Sequence, residues 1–525
     1  MVTPEESSRI ISPEALAEAL GLDTSHDDQR AIDALIDEAV RRYGPLAMSK
    51  PKRGDEGEDS IVGVINDYTL AEIMRIPIAG RLLVDRASGS FFAFDDKHGI
   101  FSQITLEETC RKLSGVYARL PELSDKTRLL AGRPASVRCM KNLLDAMAGA
   151  VGENYPFGGD PDVRPGVVHR PVANGLLSFD LSVDKPPLFR AGLCPSDRAL
   201  HRAPVSYDPA AGSVPSRLLN ELLIPSLGGS EETANEFLDD MAGAWIGGDL
   251  WPFVFALIGA ADSGKSQLVE ILRALHGKPH WCALSAKNIS DKFGVSFLTG
   301  PVLVVSFTDA KSDALTGEIG GLIKSLTGSD YVQDRGPHAQ LLVSISGNKV
   351  FLLTSNGVPR ISLEDDSAAW ERRLRAYRFN AYPVEKRIAD FGRVLLMEEG
   401  SIILNRLIDG ARRRIALRLA GQRPAVRAPM KEIVSDILRR SCDVATYLES
   451  NIIAEDGNIL RSESFSQFSD WIRVSNKRPW SKEDFCKRAG EVMIRAYGAP
   501  LSNSLPGGKG WRGVRWLNST EIAAD

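Results

Sequence analysis

The sequence predicts an α/β protein in which a parallel sheet covered by helices is preceded by an α+β segment and followed by a mainly helical one. Three observations predict this class. Between about residues 216 and 390, helical periodicity alternates with short, fully apolar runs, which is typical of parallel strands. Residues 61–215 mix strand and helix patterns, and helical periodicity dominates after residue 400.

Composition and length place the chain among soluble globular proteins. It has 525 residues, of which 43% are hydrophobic and 25% charged, so neither global disorder nor a fibrous repeat fits. The longest apolar run, Trp251–Ala261, is well short of the roughly 20 residues that span a bilayer. The first ten residues lack a basic start followed by an apolar stretch. We therefore expect a cytoplasmic protein without a membrane partner.

The distribution of charge and the spacing of the cysteines limit the classes of partner and ligand that the chain can bind. The net charge of −4 is uneven, because residues 1–60 carry 14 acids and 7 bases whereas residues 411–525 carry 20 bases and 13 acids. The basic tail is therefore a candidate nucleic-acid surface, and the acidic head is not. The six cysteines are scattered without a CxxC pair, so neither zinc nor a disulfide framework is expected.

The N-terminal elements follow from local signals. Apolar spacing predicts helix over residues 12–44, and the polar stretch 48–60 has the composition of a mobile linker. Phe91–Phe94 followed by Asp95–Gly99 predicts a strand and a turn. Asn174-Gly175 between apolar runs predicts a hairpin.

The later elements include three fully apolar runs, 253–259, 301–307 and 350–356, which predict central parallel strands. A helix over 482–496, a Gly-rich turn and an apolar strand then predict a winged-helix module. The expected parts are an acidic helical head and linker, an α+β domain, an α/β core, and a helical and winged-helix DNA-binding domain. Their bounds are 1–60, 61–215, 216–400 and 401–525.

The clearest functional signal is a complete GxxxxGK[ST] sequence between a buried strand and a helix. Its residues are Gly259, Ala260, Ala261, Asp262, Ser263, Gly264, Lys265 and Ser266. Glycines let backbone N–H groups turn towards phosphates at a helix N-terminus. Lys265 is expected to reach the β- and γ-phosphates of ATP, and the Ser266 hydroxyl to bind Mg²⁺.

A second Mg²⁺ ligand is expected at the end of the next apolar strand. Asp309 follows the run 301–307 and is the first choice, with capping of the following helix as the alternative. Asp313 lies four residues on and either assists or caps a helix. No glutamate stands beside Asp309 to act as a separate base.

Four segments together resemble superfamily 3 helicases of the phage, plasmid and poxvirus primase-helicase type. Ile323–Asp330, followed by Asp334-Arg335, resembles the K-x-L-T-G-G-D … R signature. Phe351–Asn356 matches the apolar strand that ends in asparagine, and Asp366–Phe379 resembles the D-x-A-x-W-x-R-R-L … P-F block. Ser329 departs from the pattern at the second glycine, and Asp309 occupies the region in which the family shows a glutamate.

The resemblance implies an AAA+-type helicase core that forms a ring, usually a hexamer, with ATP between neighbouring subunits. Asn356 would orient the attacking water, unless it only forms the turn before Gly357. Arg373, or its neighbour Arg372, would face the γ-phosphate of the next subunit, where such a charge accelerates hydrolysis about 10³–10⁵-fold. The alternative is that both arginines are solvated surface residues.

The segment between Asp330 and Asn356 is expected to form a hairpin that projects into the ring. Arg335 and His338 near its tip would contact the phosphates of a single DNA strand, with Lys349 at its base. Lys324 lies either on the pore side or on the helix surface. An ordinary surface turn remains the alternative for the tip.

These features predict an ATP-dependent DNA helicase or translocase that replicates a mobile element such as a phage, plasmid or integrated island. Its cofactors would be ATP and Mg²⁺, and its partners single-stranded DNA in the pore and duplex DNA at the C-terminal domain. A separate primase or polymerase is a further candidate partner, because the first 240 residues offer no convincing Asp-x-Asp set in an apolar strand, as a primase would need. The alternatives are an initiator-like DNA-remodelling ATPase without processive unwinding and a P-loop scaffold whose nucleotide only controls assembly.

Overall fold

The structure is a computed structural model. It describes residues 28–52, 60–78, 80–85, 89–131, 144, 153, 156–158, 166–247, 253–284, 294–298, 300–308, 310, 318–327, 332–334, 343–345, 349–361, 367–382, 388–475 and 479–517. The strands are β1 Ala47–Lys52, β2 Ser60–Ile65, β3 Leu82–Asp85, β4 Ser90–Asp95, β5 Ile100–Ile104, β6 Val167–Val172, β7 Gly175–Asp180, β8 Leu188–Ala191, β9 Val254–Gly259, β10 Trp281–Ala283, β11 Val304–Phe307, β12 Val332–Asp334, β13 Val343–Ile345, β14 Val350–Ser355, β15 Leu374–Phe379, β16 Ile452–Ile453, β17 Asn458–Leu460, β18 Leu501–Leu505, β19 Gly508–Arg512 and β20 Arg515–Trp516. The helices are α1 Asp28–Tyr43, α2 Asp67–Ile78, α3 Leu106–Leu123, α4 Glu231–Ile246, α5 Lys265–His276, α6 Glu318–Leu326, α7 Ser367–Arg373, α8 Phe391–Leu419, α9 Ala428–Ser441, α10 Asp443–Asn451, α11 Arg461–Val474 and α12 Lys482–Tyr497, with a π-helical segment Leu218–Leu223 before α4.

A five-stranded parallel sheet forms the centre of the molecule, in the order β10-β11-β14-β9-β15. Strands β9, β11 and β14 fall within the three apolar runs that the sequence predicts as central strands. Nearly all of their side chains are buried, as expected where helices cover both faces of a sheet. The predicted α/β class with a parallel sheet is therefore confirmed.

Helices α4 and α8 pack on each other beside the sheet, and buried ion pairs hold them together. The carboxylate of Asp240 on α4 is 1% exposed and accepts a hydrogen bond from the Tyr377 hydroxyl of β15, 2.6 Å away. Arg414 of α8 donates to the same carboxylate. A buried charge is tolerated when it is paired in this way, so α4, α8 and β15 form one rigid unit beside β9.

The N-terminal part contains two antiparallel sheets of three strands each, β3-β4-β5 and β6-β7-β8. The predicted strand at Phe91–Phe94 is β4, and the predicted hairpin is β6–β7, in which Val172 pairs with Gly175 across Ala173-Asn174. Helix α1 lies within the predicted helix 12–44, of which residues 12–27 are outside the described part.

The predicted linker 48–60 requires a correction. Residues 48–52 belong to β1, which pairs antiparallel with β2, and Ser60 begins β2. The apolar run of β2 takes the polar segment as its hydrogen-bonding partner, and the composition of the polar segment by itself does not show this. Residues 53–59 are outside the described part.

The C-terminal part has the order helix, strand, helix, helix, hairpin, formed by α10, β17, α11, α12 and β18–β19. Phe468, Phe485 and Trp511 fill its core and are fully buried, with the rings of Phe468 and Phe485 stacked at 4.7 Å. The predicted Gly-rich turn joins β18 to β19. Among the described helices, none combines the length and the apolar character needed to cross a bilayer.

Candidate nucleotide-binding site and its neighbours

The loop between β9 and α5 can only be built with glycine at its first position. Gly259 has a φ of +152°, and a Cβ atom there would lie 1.8 Å from the carbonyl oxygen of Phe379 in β15. Any side chain would push the two strands apart at the edge of the sheet where the loop begins. Gly259, the first glycine of the motif, is therefore needed because the backbones of β9 and β15 approach each other closely at this point.

The second glycine and the residues between shape the turn. Gly264 has a φ of +85°, and a Cβ atom there would lie 2.5 Å from Cδ1 of Leu222. Asp262 adopts a φ of +59°, and the buried Ser263 hydroxyl donates to the carbonyl of Ala260, 2.8 Å away. Ala260, Ala261 and Asp262 are exposed, so the outer side of the loop is open above the N-terminus of α5.

Lys265 directs its ammonium group into this loop. The side chain is largely buried, and Nζ donates to the carbonyl oxygens of Gly259 and Ala260 at 2.7 and 2.6 Å. It also lies 3.2 Å from Oγ of Ser263. A buried ammonium surrounded by oxygen acceptors, at the start of a helix, is a suitable partner for anionic oxygens.

Asn356 joins the loop from the neighbouring strand. It follows the last residue of β14, which pairs with β9, and its Oδ1 accepts from Lys265 Nζ at 3.4 Å. The amide is exposed at this edge. The structure thus brings together two residues that are 91 positions apart in the sequence and that were both predicted to act on the nucleotide.

The predicted Mg²⁺ ligands are described only in part. Ser266 is exposed in the first turn of α5, next to Lys265. Strand β11 ends at Phe307, beside β14, so the carboxyl ends of β11, β14 and β9 share one edge. Asp309 and Asp313 are outside the described residues, and their role stays a prediction.

The two predicted arginines differ in their surroundings. Arg373 is half-buried, and its Nε donates to Oγ1 of Thr327 at 3.0 Å while Nη1 donates to the carbonyl of Ala369 at 3.0 Å. Arg372 is exposed on α7. Of the two side chains, that of Arg372 is therefore the more exposed, whereas that of the preferred Arg373 is bonded within its own chain.

The predicted hairpin is present as the antiparallel pair β12–β13, in which Val332 pairs with Ile345 and Asp334 with Val343. Its connecting residues, including Arg335 and His338, are outside the described part. Beyond the hairpin, the apolar run 350–356 contains strand β14 of the central sheet, as predicted.

The two predicted DNA-binding lysines also differ. Lys324 is half-buried on α6. Lys349 is 4% exposed, and its ammonium donates to the carbonyl of Val302 at 2.6 Å. Lys349 therefore lies inside the base of the hairpin rather than on its surface.

Sequence reasoning missed Thr327 as a residue of interest. It stands within the segment that resembles the helicase signature, but its side-chain hydroxyl is the acceptor for Arg373 only because the chain folds α7 against α6. That contact spans 46 positions and has no periodic or spacing signal.

Comparison with known proteins adds little. No family model and no curated protein matches the chain. Among solved structures, an apo form of the NrS-1 C-terminal region has a TM-score of 0.40 and 12% identity, over 83% of this chain and 96% of that chain. The SCCmec type IV Cch active helicase has a TM-score of 0.34 and 10% identity, over 85% and 94%. A JCV helicase has a TM-score of 0.20 and 15% identity, over 41% and 59%. Because all three TM-scores are below 0.5, the function has to be inferred from the residues themselves.

Proposed function

We propose that this chain is an ATP-dependent DNA helicase or translocase of the superfamily 3, AAA+ type, which serves the replication of a mobile element. The observation that carries the proposal is the loop between β9 and α5, with Lys265 in its centre and Asn356 beside it. A Gly-rich loop that begins a helix after a buried parallel strand suits a nucleoside triphosphate.

The residues present fit ATP and Mg²⁺. The backbone N–H groups of residues 260–266 and the Lys265 ammonium would hold the phosphates, and the Ser266 hydroxyl with Asp309 would hold the metal, which when bound neutralises phosphate charge. Gly259 and Gly264 both have a positive φ, a backbone conformation that glycine adopts readily and that gives the loop its turn. Asn356 is a neutral amide at the same edge and would position a water without adding charge.

The proposal includes an oligomeric ring, which the exposed position of Arg372 supports. Its exposed guanidinium would complete the site of a neighbouring subunit, where it stabilises charge that develops during hydrolysis. Arg373 is a less suitable candidate because it already donates to Thr327 and Ala369 within its own chain. A homo-oligomer, with a hexamer as the expected form, is therefore part of the proposal.

DNA would be bound at two places. The hairpin β12–β13 would present Arg335 and His338 to the phosphates of a single strand, with Lys324 nearby. Because Lys349 is buried, we leave it out of this surface. The C-terminal unit, which has the element order of a winged helix, would bind duplex DNA.

That C-terminal unit also favours the second candidate, an initiator-like ATPase that remodels duplex DNA without processive unwinding. The exposed basic residues of α12 and its hairpin include Lys487, Arg495, Lys509 and Arg512, and α12 also exposes Glu483, Asp484 and Glu491. Exposed lysines and arginines contribute salt-dependent affinity for any duplex, and a remodelling protein needs them equally.

The deciding experiment measures ATPase activity of the purified chain with and without single-stranded DNA, together with its mass in ATP and strand separation on a forked duplex. A helicase should be stimulated by DNA, form a ring and separate the strands. DNA-stimulated turnover without strand separation would favour the remodelling ATPase. ATP-dependent assembly with negligible turnover would contradict both and favour the assembly scaffold.

A further inference from the structure

The guanidinium of Arg373 connects two functional elements of the same chain. Its Nε is 3.0 Å from Oγ1 of Thr327, and its Nη1 is 3.0 Å from the carbonyl of Ala369, one turn earlier in α7. The side chain therefore fixes the end of α7 against the end of α6. Arg372, the exposed candidate for the neighbouring subunit, is the preceding residue on α7.

Thr327 is a rigid acceptor for this bond. It is 1% exposed, and its backbone N–H donates to the carbonyl of Ile323 at 2.9 Å. Its hydroxyl proton is directed to the same carbonyl, 2.6 Å away, so the hydroxyl oxygen is left to accept from Arg373. A hydrogen bond that involves an ionised donor is stronger than a neutral one.

Thr327 is also the last described residue before the hairpin. Helix α6 ends at Leu326, and strand β12 begins at Val332. A displacement of the hairpin therefore has to act on the segment that begins at Thr327. Because Thr327 is hydrogen-bonded to Arg373, such a displacement would also act on α7.

The other side of Arg373 leads to the nucleotide loop. Strand β15 begins at the next residue, Leu374, and pairs with β9 along its whole length, until Phe379 lies opposite Gly259. The carbonyl oxygen of Phe379 is the atom that excludes a side chain at Gly259. A rigid strand thus joins the Arg373 junction to the first residue of the loop.

A second connection involves Leu326, which ends α6 and directly precedes Thr327. The backbone N–H of Lys349 donates to the carbonyl of Leu326 at 3.1 Å, and its buried ammonium donates to Val302 at the start of the β11 segment. Strand β14 follows directly and ends next to Asn356. The base of the hairpin is therefore connected to β14, which pairs with β9, and to the residues that precede β11, which pairs with β14.

We infer that the Thr327–Arg373 hydrogen bond transmits DNA engagement at the hairpin to the nucleotide site, and that Arg373 is a positioning residue for α7 rather than a phosphate ligand. This inference rests on the proposed function. It predicts that the bond matters for the response of hydrolysis to DNA and much less for hydrolysis without DNA. Packed elements with two discrete arrangements carry coupling of this kind.

The test is Thr327→Val, which keeps the buried volume and removes the acceptor oxygen. Its ATPase activity without DNA should stay within about twofold of the wild type, whereas stimulation by single-stranded DNA should fall by about fivefold or more, the lower end of common coupling factors. Thr327→Ser keeps the hydroxyl and should retain the stimulation. Stimulation in Thr327→Val equal to the wild type would overturn the inference.

Thr109→Val is the matched control, because Thr109 is also fully buried in a helix and donates to the carbonyl four residues earlier, far along the chain from the hairpin. It should cost similar stability and leave stimulation unchanged. A wild-type chain that hydrolyses ATP with no response to DNA would overturn the proposed function and this inference together, whereas a stimulated wild type with a normal Thr327→Val variant overturns this inference alone.

A double-mutant cycle keeps the test decisive if Thr327→Val is destabilised more than its control. In an Arg373→Met background the bond is absent, because methionine has no N–H donor, so Thr327→Val should not lower the stimulation ratio further. Independent, additive losses of stimulation would show that Thr327 does not act through Arg373 and would overturn the inference.

Discussion

The ammonium of Lys265, the first residue of α5, lies 3.4 Å from the side-chain oxygen of Asn356, which follows strand β14 of the central sheet. The same ammonium is held by two carbonyl oxygens of its own loop. An incoming phosphate oxygen would compete with these acceptors for the same protons. The contact therefore joins the phosphate-binding loop and the end of β14 into one site.

Replacing Lys265 should abolish hydrolysis. In the described part of the loop, the ammonium of Lys265 lies among the oxygen atoms of Gly259, Ala260 and Ser263. Lys265→Ala should lower the ATPase rate by about 10³-fold or more, the scale on which a transition-state charge acts. Lys278→Ala, an exposed lysine after α5, should hydrolyse ATP normally. Retained turnover in Lys265→Ala would remove the basis of the proposed nucleotide site.

Asn356 should affect turnover more than binding. Because its amide stands at the edge of the site and contributes no charge, Asn356→Ala should bind a fluorescent ATP analogue within about threefold of the wild type while the rate falls about 10²-fold or more. Exposed Asn503 offers a control substitution to alanine. Equal losses in affinity and rate would mean that Asn356 mainly holds the ground state of the nucleotide.

Arg372 should act on a neighbouring subunit. Arg372→Ala should leave ATP binding normal and reduce hydrolysis strongly, because its own loop is intact. Mixed with Lys265→Ala subunits, it should regain part of the activity, since some interfaces then pair an intact loop with an intact arginine.

The mixing measurement needs native mass spectrometry to show that mixed oligomers form. Arg360→Ala, also exposed, should be active by itself. Inactive mixtures despite mixed rings would contradict an arginine acting between subunits. Recovery with Arg373→Ala instead of Arg372→Ala would show that the bond between Arg373 and Thr327 opens in the ring.

Exposed lysines and arginines of the C-terminal unit should set the salt dependence of duplex binding. Charge reversal at Lys487, Arg495 and Lys509, one at a time, should each reduce the slope of log K against log salt by about 1 if the side chain meets a phosphate. Lys185→Glu, at an exposed position in the N-terminal part, should not alter the slope. Truncation is a poorer test, because α9 contributes Met430, Val434 and Ile437 to the main core.

If all three reversals leave duplex affinity and its salt slope unchanged, the excess of positive charge in residues 411–525 is only a solvated surface. Both DNA-binding candidates would then have to rely on the hairpin alone. Loss of affinity with an unchanged slope would instead point to disturbed packing of α12, which a comparison of melting temperatures would detect.

The sequence predicted the central sheet because its information is local there. Apolar runs end at Gly259 and Asn356. A run that is apolar throughout is typical of a parallel strand in a sheet that helices cover on both faces. The hairpin at Val172–Gly175 was likewise predictable from a turn signal. Strand β1 was missed because a polar segment becomes a strand only through the partner that pairs with it.

The site shows the same limit. Lys265 was predictable because the loop motif is contiguous, whereas the hydrogen bond from Arg373 to Thr327 depends on how α7 meets α6. Lys349 carries a charge in the sequence and was assigned to a surface, but its ammonium satisfies a buried carbonyl. Neither burial nor a long-range partner can be deduced from the type of a single residue.

Acid should destabilise the folded chain through His280. Burial lowers the pKa of His280 to about 4, and its Nδ1 donates to the carbonyl of Pro301 at 2.8 Å, next to the β11 segment. The unfolded chain takes up the proton near its ordinary pKa of about 6.5. Between these values the unfolded state binds more protons than the folded state, so stability is complete above about pH 6.5 and falls as the pH is lowered towards 4.

His280→Asn retains a side-chain N–H for the Pro301 carbonyl and cannot titrate. From pH 7 to pH 5 the wild type should lose about 1–2 kcal/mol more unfolding free energy than this variant, as measured from urea midpoints. Burial also lowers the pKa values of His201 and His276, and both act in the same direction, but they are common to the two proteins and cancel in the difference. His98→Asn, at an exposed turn, controls for the substitution itself. If the wild type and His280→Asn lose equal stability on acidification, His280 takes up its proton within the folded state, and burial does not keep this imidazole neutral.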